Sequence, residues 1–147
     1  MNTSDSSPAF RPDPAFKSLA RAVGRWRLSG GLQGEVFFEW KEGGYYLVQH
    51  LDAEHDGRKI KGMEIIGPDR PFGGAAGPLF QSRYYEYLTG TTLDYTYEPD
   101  ETGFTVWLGE KGSPFYCRAE FGADGRTLTG RWVFPDGGYD LIATRVD

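Results

Sequence analysis

The side chains that most often carry catalysis or bind metals are scarce in this chain of 147 residues. It has two histidines, His50 and His55, and one cysteine, Cys117. A zinc site needs three or four convergent Cys, His or carboxylate ligands, and neither a CxxC nor a His-x-x-x-His spacing occurs. Cys117 is interpreted as a small buried hydrophobe rather than a nucleophile. We therefore expect no metal site and no cofactor, and the sequence identifies no catalytic residue.

Three ionisable residues stand in stretches where they are candidates for an interior binding site. Glu64 lies in "GMEIIG", Arg83 in "FQSRYYEY" and His50 in the middle of "YYLVQHLDAE". Successive side chains of a strand face opposite sides, so a slip of one residue in register turns any of them outward. Turned inward, each needs a partner or a polar ligand, because burying an unpaired charge is costly. His55, in the turn "EHDG", is interpreted as a solvated residue.

Aromatic residues make up 16% of the chain. One phase of the alternation places Trp40, Tyr95 and Trp132 on the same side of three different strands, where rings offer a large, rigid contact area. We expect these rings to contact a small hydrophobic or aromatic molecule that the three ionisable residues orient. The stretch "GGAAG" lacks the Lys-Ser/Thr of a phosphate loop, and "GGLQG" opens no helix, so neither predicts a nucleotide site.

The elements that position these residues alternate with a period of two from Gly24 onward. About ten such segments are separated by short turns such as "KEGG", "EHDG", "GADG" and "PDGG". Short turns of this kind pair each strand with its predecessor, and closing the sheet removes its two edges. The sequence predicts an all-β fold, an up-and-down antiparallel β-barrel of about ten strands with a short N-terminal helix.

That helix is predicted in "DPAFKSLARAVG", with Asp13 as N-cap, Pro14 at the first helical position and Gly24 after the end. Residues 1–13, rich in Ser, Pro and Asp, are expected to form a disordered tail, and residues 14–147 a single barrel domain. One long connection, "GPDRPFGGAAGP", forms either a lid over the open end of the barrel or a mobile surface insertion.

Charge and hydropathy limit the partners. The formal net charge of −5 gives no reason to expect nucleic-acid binding. The sequence contains no run of about 18 apolar residues, so it does not predict a transmembrane helix. The N-terminus does not resemble a secretory signal, and a single cysteine fits a reducing compartment. We expect a cytoplasmic monomer or homodimer that binds neither nucleic acid nor membranes.

The stretch "VGRW" at the start of the first strand, preceded by a short helical turn, resembles the opening of the lipocalin/calycin barrels. In that superfamily the Trp closes one barrel end and an Arg from near the last strand packs over its ring, which implies these roles for Trp26 and Arg145. Through "VGRW", "EGGYYLVQ", "KGMEIIGPD" and "LTGRWVFPDGGY", the domain also resembles small bacterial lipocalin-like families of unknown function such as DUF1579. Nitrobindin-like haem barrels have ten strands too, but their iron ligand is a late His, and no His follows His55.

Three functional hypotheses remain open. The first is binding of a small hydrophobic or aromatic molecule in the barrel interior, without defined chemistry. The second is a cofactor-independent enzyme of isomerase or cyclase type, in which the cavity preorganises the substrate. The third is a barrel filled by its own side chains that acts as a structural or interaction domain. The first two hypotheses require a cavity inside the barrel, whereas the third requires a filled interior, so the presence of a cavity would distinguish them.

Overall fold

The computed structural model describes residues 18–147, which form a closed barrel of ten antiparallel strands. Each strand pairs with its neighbours in sequence, and the last strand pairs with the first. The strands are β1 (Gly24–Gly30), β2 (Gln33–Trp40), β3 (Leu47–His55), β4 (Arg58–Pro68), β5 (Phe80–Glu86), β6 (Thr92–Pro99), β7 (Gly103–Leu108), β8 (Tyr116–Phe121), β9 (Thr127–Phe134) and β10 (Gly137–Arg145). The predicted all-β up-and-down barrel of about ten strands is confirmed.

The alternation of apolar and polar residues in the sequence corresponds to an alternation of buried and exposed side chains along the strands. In β2, Val36 and Phe38 are buried, whereas Glu35 between the turn and Val36 is exposed. The tight turns have the chemistry their backbone requires: Asp56 and Gly57, which join β3 to β4, have φ values of 50° and 76°. Positive φ at both central residues is typical of the two-residue hairpin that matches strand twist.

One end of the barrel, called the closed end below, is plugged by Trp26. Its ring is 0% exposed and its Nε1–H donates to the carbonyl of Ala22 at 2.8 Å. The Arg145 guanidinium lies over the ring, with Cζ 4.3 Å from the centroid, and donates to the carbonyls of Arg21 and Val23 at 2.7 and 2.8 Å. The structure confirms the predicted contact, which combines a cation–π interaction with backbone capping.

The N-terminal helix differs from the prediction. Within the described residues only Leu19–Ala22 is helical, as a single 3₁₀ turn that buries Leu19 and Ala22 against the barrel. Four residues are a usual length for this tighter helix. The predicted cap at Asp13, the first turn at Pro14 and the disordered tail over residues 1–13 lie outside the described residues. In residues 18–147 no helix has the length and apolarity needed to cross a bilayer.

The long connection between β4 and β5, residues 69–79, does not cover the open end of the barrel. In an up-and-down barrel successive hairpins alternate between the two ends, so the connection after β4 lies at the same end as the start of β1 and Trp26. No residue of 69–79 lines the interior cavity described below. The segment carries its own hydrogen bonds, Gly74 N to Pro71 O and Gly77 N to Asp69 O, both 2.9 Å. The prediction of a lid over the open end was wrong.

Candidate ligand-binding cavity

The interior of the barrel contains a cavity of about 540 Å³. Its floor is formed by Leu19 and Ala22 of the 3₁₀ turn, above the Trp26 plug. Its walls are largely apolar and include Leu28, Val36, Phe38, Leu47, Ile66 and Val106. A barrel of this strand number is wide enough to hold a small ligand when side chains do not fill it. The side chains of the described residues therefore leave the barrel interior unfilled.

The cavity opens at the end opposite Trp26, which we call the mouth. The residues that line the cavity there lie in or beside the β1–β2, β3–β4, β5–β6, β7–β8 and β9–β10 hairpins and include Leu32, Arg58, Thr89, Thr91, Phe115 and Phe134. Phe115 is 38% exposed, so an apolar ring faces solvent at the entrance. The mouth therefore gives an apolar molecule access to the interior.

A row of aromatic rings runs from the mouth into the cavity. The Phe115 and Phe134 centroids are 5.7 Å apart, those of Phe134 and Trp132 are 6.4 Å apart, and those of Trp132 and Tyr95 are 5.9 Å apart. Tyr139 packs edge-on against Phe134 at 6.0 Å. These separations fall in the range of favourable ring pairs. The row forms a continuous wall against which a flat apolar molecule can pack.

A buried carboxylate lies in the opposite wall. Glu64 is 5% exposed and accepts hydrogen bonds from Gln49 Nε2 at 2.5 Å, Ser82 Oγ at 2.6 Å and the Tyr97 hydroxyl at 2.8 Å. The register explains the cluster. Glu64 on β4 stands opposite Gln49 on β3 and Tyr84 on β5, and directly paired residues share a face of the sheet.

The electrostatics of Glu64 are dominated by burial. Desolvation raises the pKa of this carboxyl, and the hydrogen bonds from Ser82 and Tyr97 oppose that rise only in part. Within residues 18–147 no Lys, Arg or His forms an ion pair with Glu64. Among the described residues, the Glu64 carboxylate thus has only neutral hydrogen-bond donors around it in an apolar cavity. A positively charged group of a ligand could supply the missing counter-charge.

Two tyrosine hydroxyls add polar groups to the cavity. Burial raises the pKa of Tyr95, with the Glu64 charge as a further cause, and raises the pKa of Tyr139 to about 12. Neither hydroxyl forms a hydrogen bond with any described residue. Tyr84 is satisfied differently: its hydroxyl donates to Glu86 Oε1 at 2.6 Å. Tyr95 and Tyr139 are thus available as hydrogen-bond donors or acceptors to a bound molecule.

The predicted site residues divide into two groups. Glu64, Tyr95 and Trp132 line the cavity. Trp40, the last residue of β2, packs against the hydrophobic core at the closed end and is not among the lining residues. His50 and Arg83 lie on the outer face of the barrel.

The outward placement of His50 and Arg83 corrects the expectation that they face the interior. His50 Nε2 lies 2.7 Å from Glu39 Oε2, and its ring stacks on Phe37. Arg83 pairs with Asp94 through bonds of 2.7 and 3.1 Å, with about half of its side chain exposed. Both are the sequence neighbours of inward residues, so the expectation failed by one position in register.

Sequence reasoning also missed residues that complete the site. Gln49, next to His50, and Ser82, next to Arg83, are the side chains that hold Glu64. The available signal was pairing together with alternation: once Glu64 faces inward, so do its cross-strand partners Gln49 and Tyr84, and Ser82 lies two residues from Tyr84 on the same face of β5. His55 is not simply solvated, because its Nδ1 lies 2.6 Å from the Gly31 carbonyl oxygen and its ring packs against Tyr139 at 4.7 Å.

Within the described part of the chain, no group of three or more His, Cys, Asp or Glu residues converges as a metal site. Cys117 is buried and lines the cavity, and burial raises the pKa of its thiol to about 12, which opposes nucleophilic reactivity.

No family model and no curated protein sequence matches this chain.

Proposed function

We propose that this protein binds a small molecule with a flat, apolar body inside its barrel. The observation that carries the proposal is the 540 Å³ cavity, which is open at the mouth and walled by the aromatic row. Ligand sites in proteins combine largely apolar walls with a few convergent polar groups. Here those groups are Glu64, Tyr95 and Tyr139. The cavity volume lies within the range of small-molecule sites.

Tryptophan fluorescence tests this proposal with a matched control in the same chain. A naphthalene derivative titrated into the protein should quench the emission of Trp132, which lines the cavity. The Trp132→Phe variant should lose most of the quenching. Trp107 pairs with Thr96 and Tyr116, lies outside the cavity and packs against Lys111, so Trp107→Phe should keep it. Equal quenching in the two variants, or none in the wild type, would refute an interior site.

The placement of Glu64 favours one second candidate function. A carboxyl with a raised pKa inside an apolar cavity suits a general base, and the free Tyr95 hydroxyl is a candidate to stabilise a developing oxyanion. A cofactor-independent isomerase would use such a pair. Deuterium exchange at the α-carbon of 2-tetralone in D2O, followed by NMR, tests it: catalysis lost in Glu64→Gln supports the enzyme, and equal rates in both proteins reject it.

A further inference from the structure

A purely apolar ligand leaves the buried carboxyl group of Glu64 unexplained. Its three partners, Gln49, Ser82 and Tyr97, are all neutral donors. Donors of this kind favour the charged form of a carboxylate, yet no cation among residues 18–147 offsets the cost of burying it. The Glu64 carboxylate therefore has three hydrogen-bond donors but no positive partner in the described part of the chain, and a cationic ligand would complete an ion pair with it.

Three tyrosines lie on the two strands that follow β4 in the barrel. Tyr84 stands opposite Glu64 on the next strand, and Tyr95 and Tyr97 share the inward face of the strand after that. The electron-rich face of a tyrosine attracts cations, and the attraction increases when water is excluded. A carboxylate beside several tyrosine rings is an environment that suits an ammonium group.

The remaining charges of the lining lie nearer the mouth. Glu86 accepts from the Tyr84 hydroxyl and from the Lys61 backbone N–H. Lys59 is paired with Asp52 at 3.0 Å, and Arg58 has no acidic partner in the described chain. Arg58 is a positive group at the entrance, and Glu64 is a negative group inside the cavity. The charged head of an anionic ligand would therefore stay at the mouth beside Arg58. The charged head of a cationic ligand would enter the cavity and reach Glu64.

We propose that the ligand is an aromatic or polycyclic amine, whose positively charged nitrogen enters first and pairs with Glu64 while its apolar body lies along Trp132 and Phe134. This inference rests on the proposed ligand-binding function and specifies the chemical class of the ligand. Charge-assisted hydrogen bonds are stronger than neutral ones. The Tyr95 hydroxyl also lines the cavity and is a candidate to accept a second hydrogen bond from the nitrogen.

Three probes with the same apolar body test the charge: 2-naphthylmethylamine, 2-naphthylmethanol and 2-naphthylacetic acid, each titrated by calorimetry and by Trp132 quenching. We expect the amine to bind at least about tenfold more tightly than the alcohol, and the acid to bind most weakly. Glu64→Gln should remove the preference for the amine and leave alcohol binding within about twofold. Glu86→Gln removes a different lining carboxylate and should leave the preference intact.

The outcomes separate this inference from the proposed function. If the alcohol binds as tightly as the amine, or if Glu86→Gln abolishes the preference as fully as Glu64→Gln, the pairing with Glu64 is refuted while interior binding stands. If the acid binds best and Arg58→Gln weakens it, the ligand is anionic and its head lies at the mouth. If none of the three probes binds, both proposals fail.

A pH series on the wild-type protein keeps the test valid even if Glu64→Gln does not fold. Pairing requires a charged carboxylate, so amine affinity should fall as the pH is lowered through the pKa of Glu64, whereas alcohol affinity should stay constant. The other groups that face Glu64 are Gln49 and Ser82, which do not titrate in this range, and Tyr84, Tyr95 and Tyr97, whose pKa values are all raised. Amine affinity that does not change between about pH 4 and pH 8 would overturn the inference.

Discussion

The two ends of the barrel solve opposite problems with similar residues. At the closed end a Trp and an Arg are fully engaged: Trp26 is buried with its N–H bonded, and the Arg145 guanidinium is held by carbonyl oxygens. At the mouth an exposed Phe115 and an Arg58 without an acidic partner among the described residues face solvent. Saturated interactions indicate a stabilising role, and unsaturated ones indicate a place where another molecule binds.

The largest expected effect tests the closed end. Trp26→Ala removes the plug and should lower the free energy of unfolding by about 3–5 kcal/mol, because it leaves a large cavity in the core. Urea denaturation followed by circular dichroism measures the loss. The matched control is Trp107→Ala on the outer face, for which we expect a change below about 1 kcal/mol. A Trp26→Ala variant as stable as that control would show that the plug does not stabilise the barrel.

The next effect links stability to the polar group of the cavity. Since burial raises the pKa of Glu64, the folded state binds a proton that the unfolded state has already released, and stability falls as the pH rises between the two pKa values. The contribution of this group reaches about 1.4 kcal/mol per pH unit at most. Urea unfolding from pH 4 to 8 should show a shallower fall in Glu64→Gln than in the wild type. Parallel curves would show that Glu64 titrates normally.

The smallest expected effect tests the assignment of the long connection. Deleting residues 73–77 should leave the affinity for the naphthyl probes unchanged within about twofold, because the segment lies at the closed end and contributes nothing to the lining. Calorimetric titration of the deletion variant measures it. A clear loss of affinity would mean that the connection reaches the ligand after all.

Much of the fold was predictable because alternation and turns are local signals. The Trp26–Arg145 contact was predicted from the resemblance of "VGRW" to the opening of lipocalin-type barrels, and Glu64 stood out as a charge in an apolar stretch. His50 and Arg83 were misplaced because strand register depends on cross-strand pairing, which a single sequence does not reveal. The lid was a different kind of error. Counting strands shows that a connection after an even-numbered strand lies at the end where the first strand begins.

The pairing of β1 with β10 has a consequence for the order of folding. The Trp26–Arg145 contact joins the two most distant strands of the sequence, and such contacts close a long loop whose entropy must be offset before they form. Until the last strand docks, β1 and β9 both present open edges to other chains. We therefore expect the ring to close late, after the transition state. Substitutions at Arg145 would then accelerate unfolding and leave the refolding rate nearly unchanged.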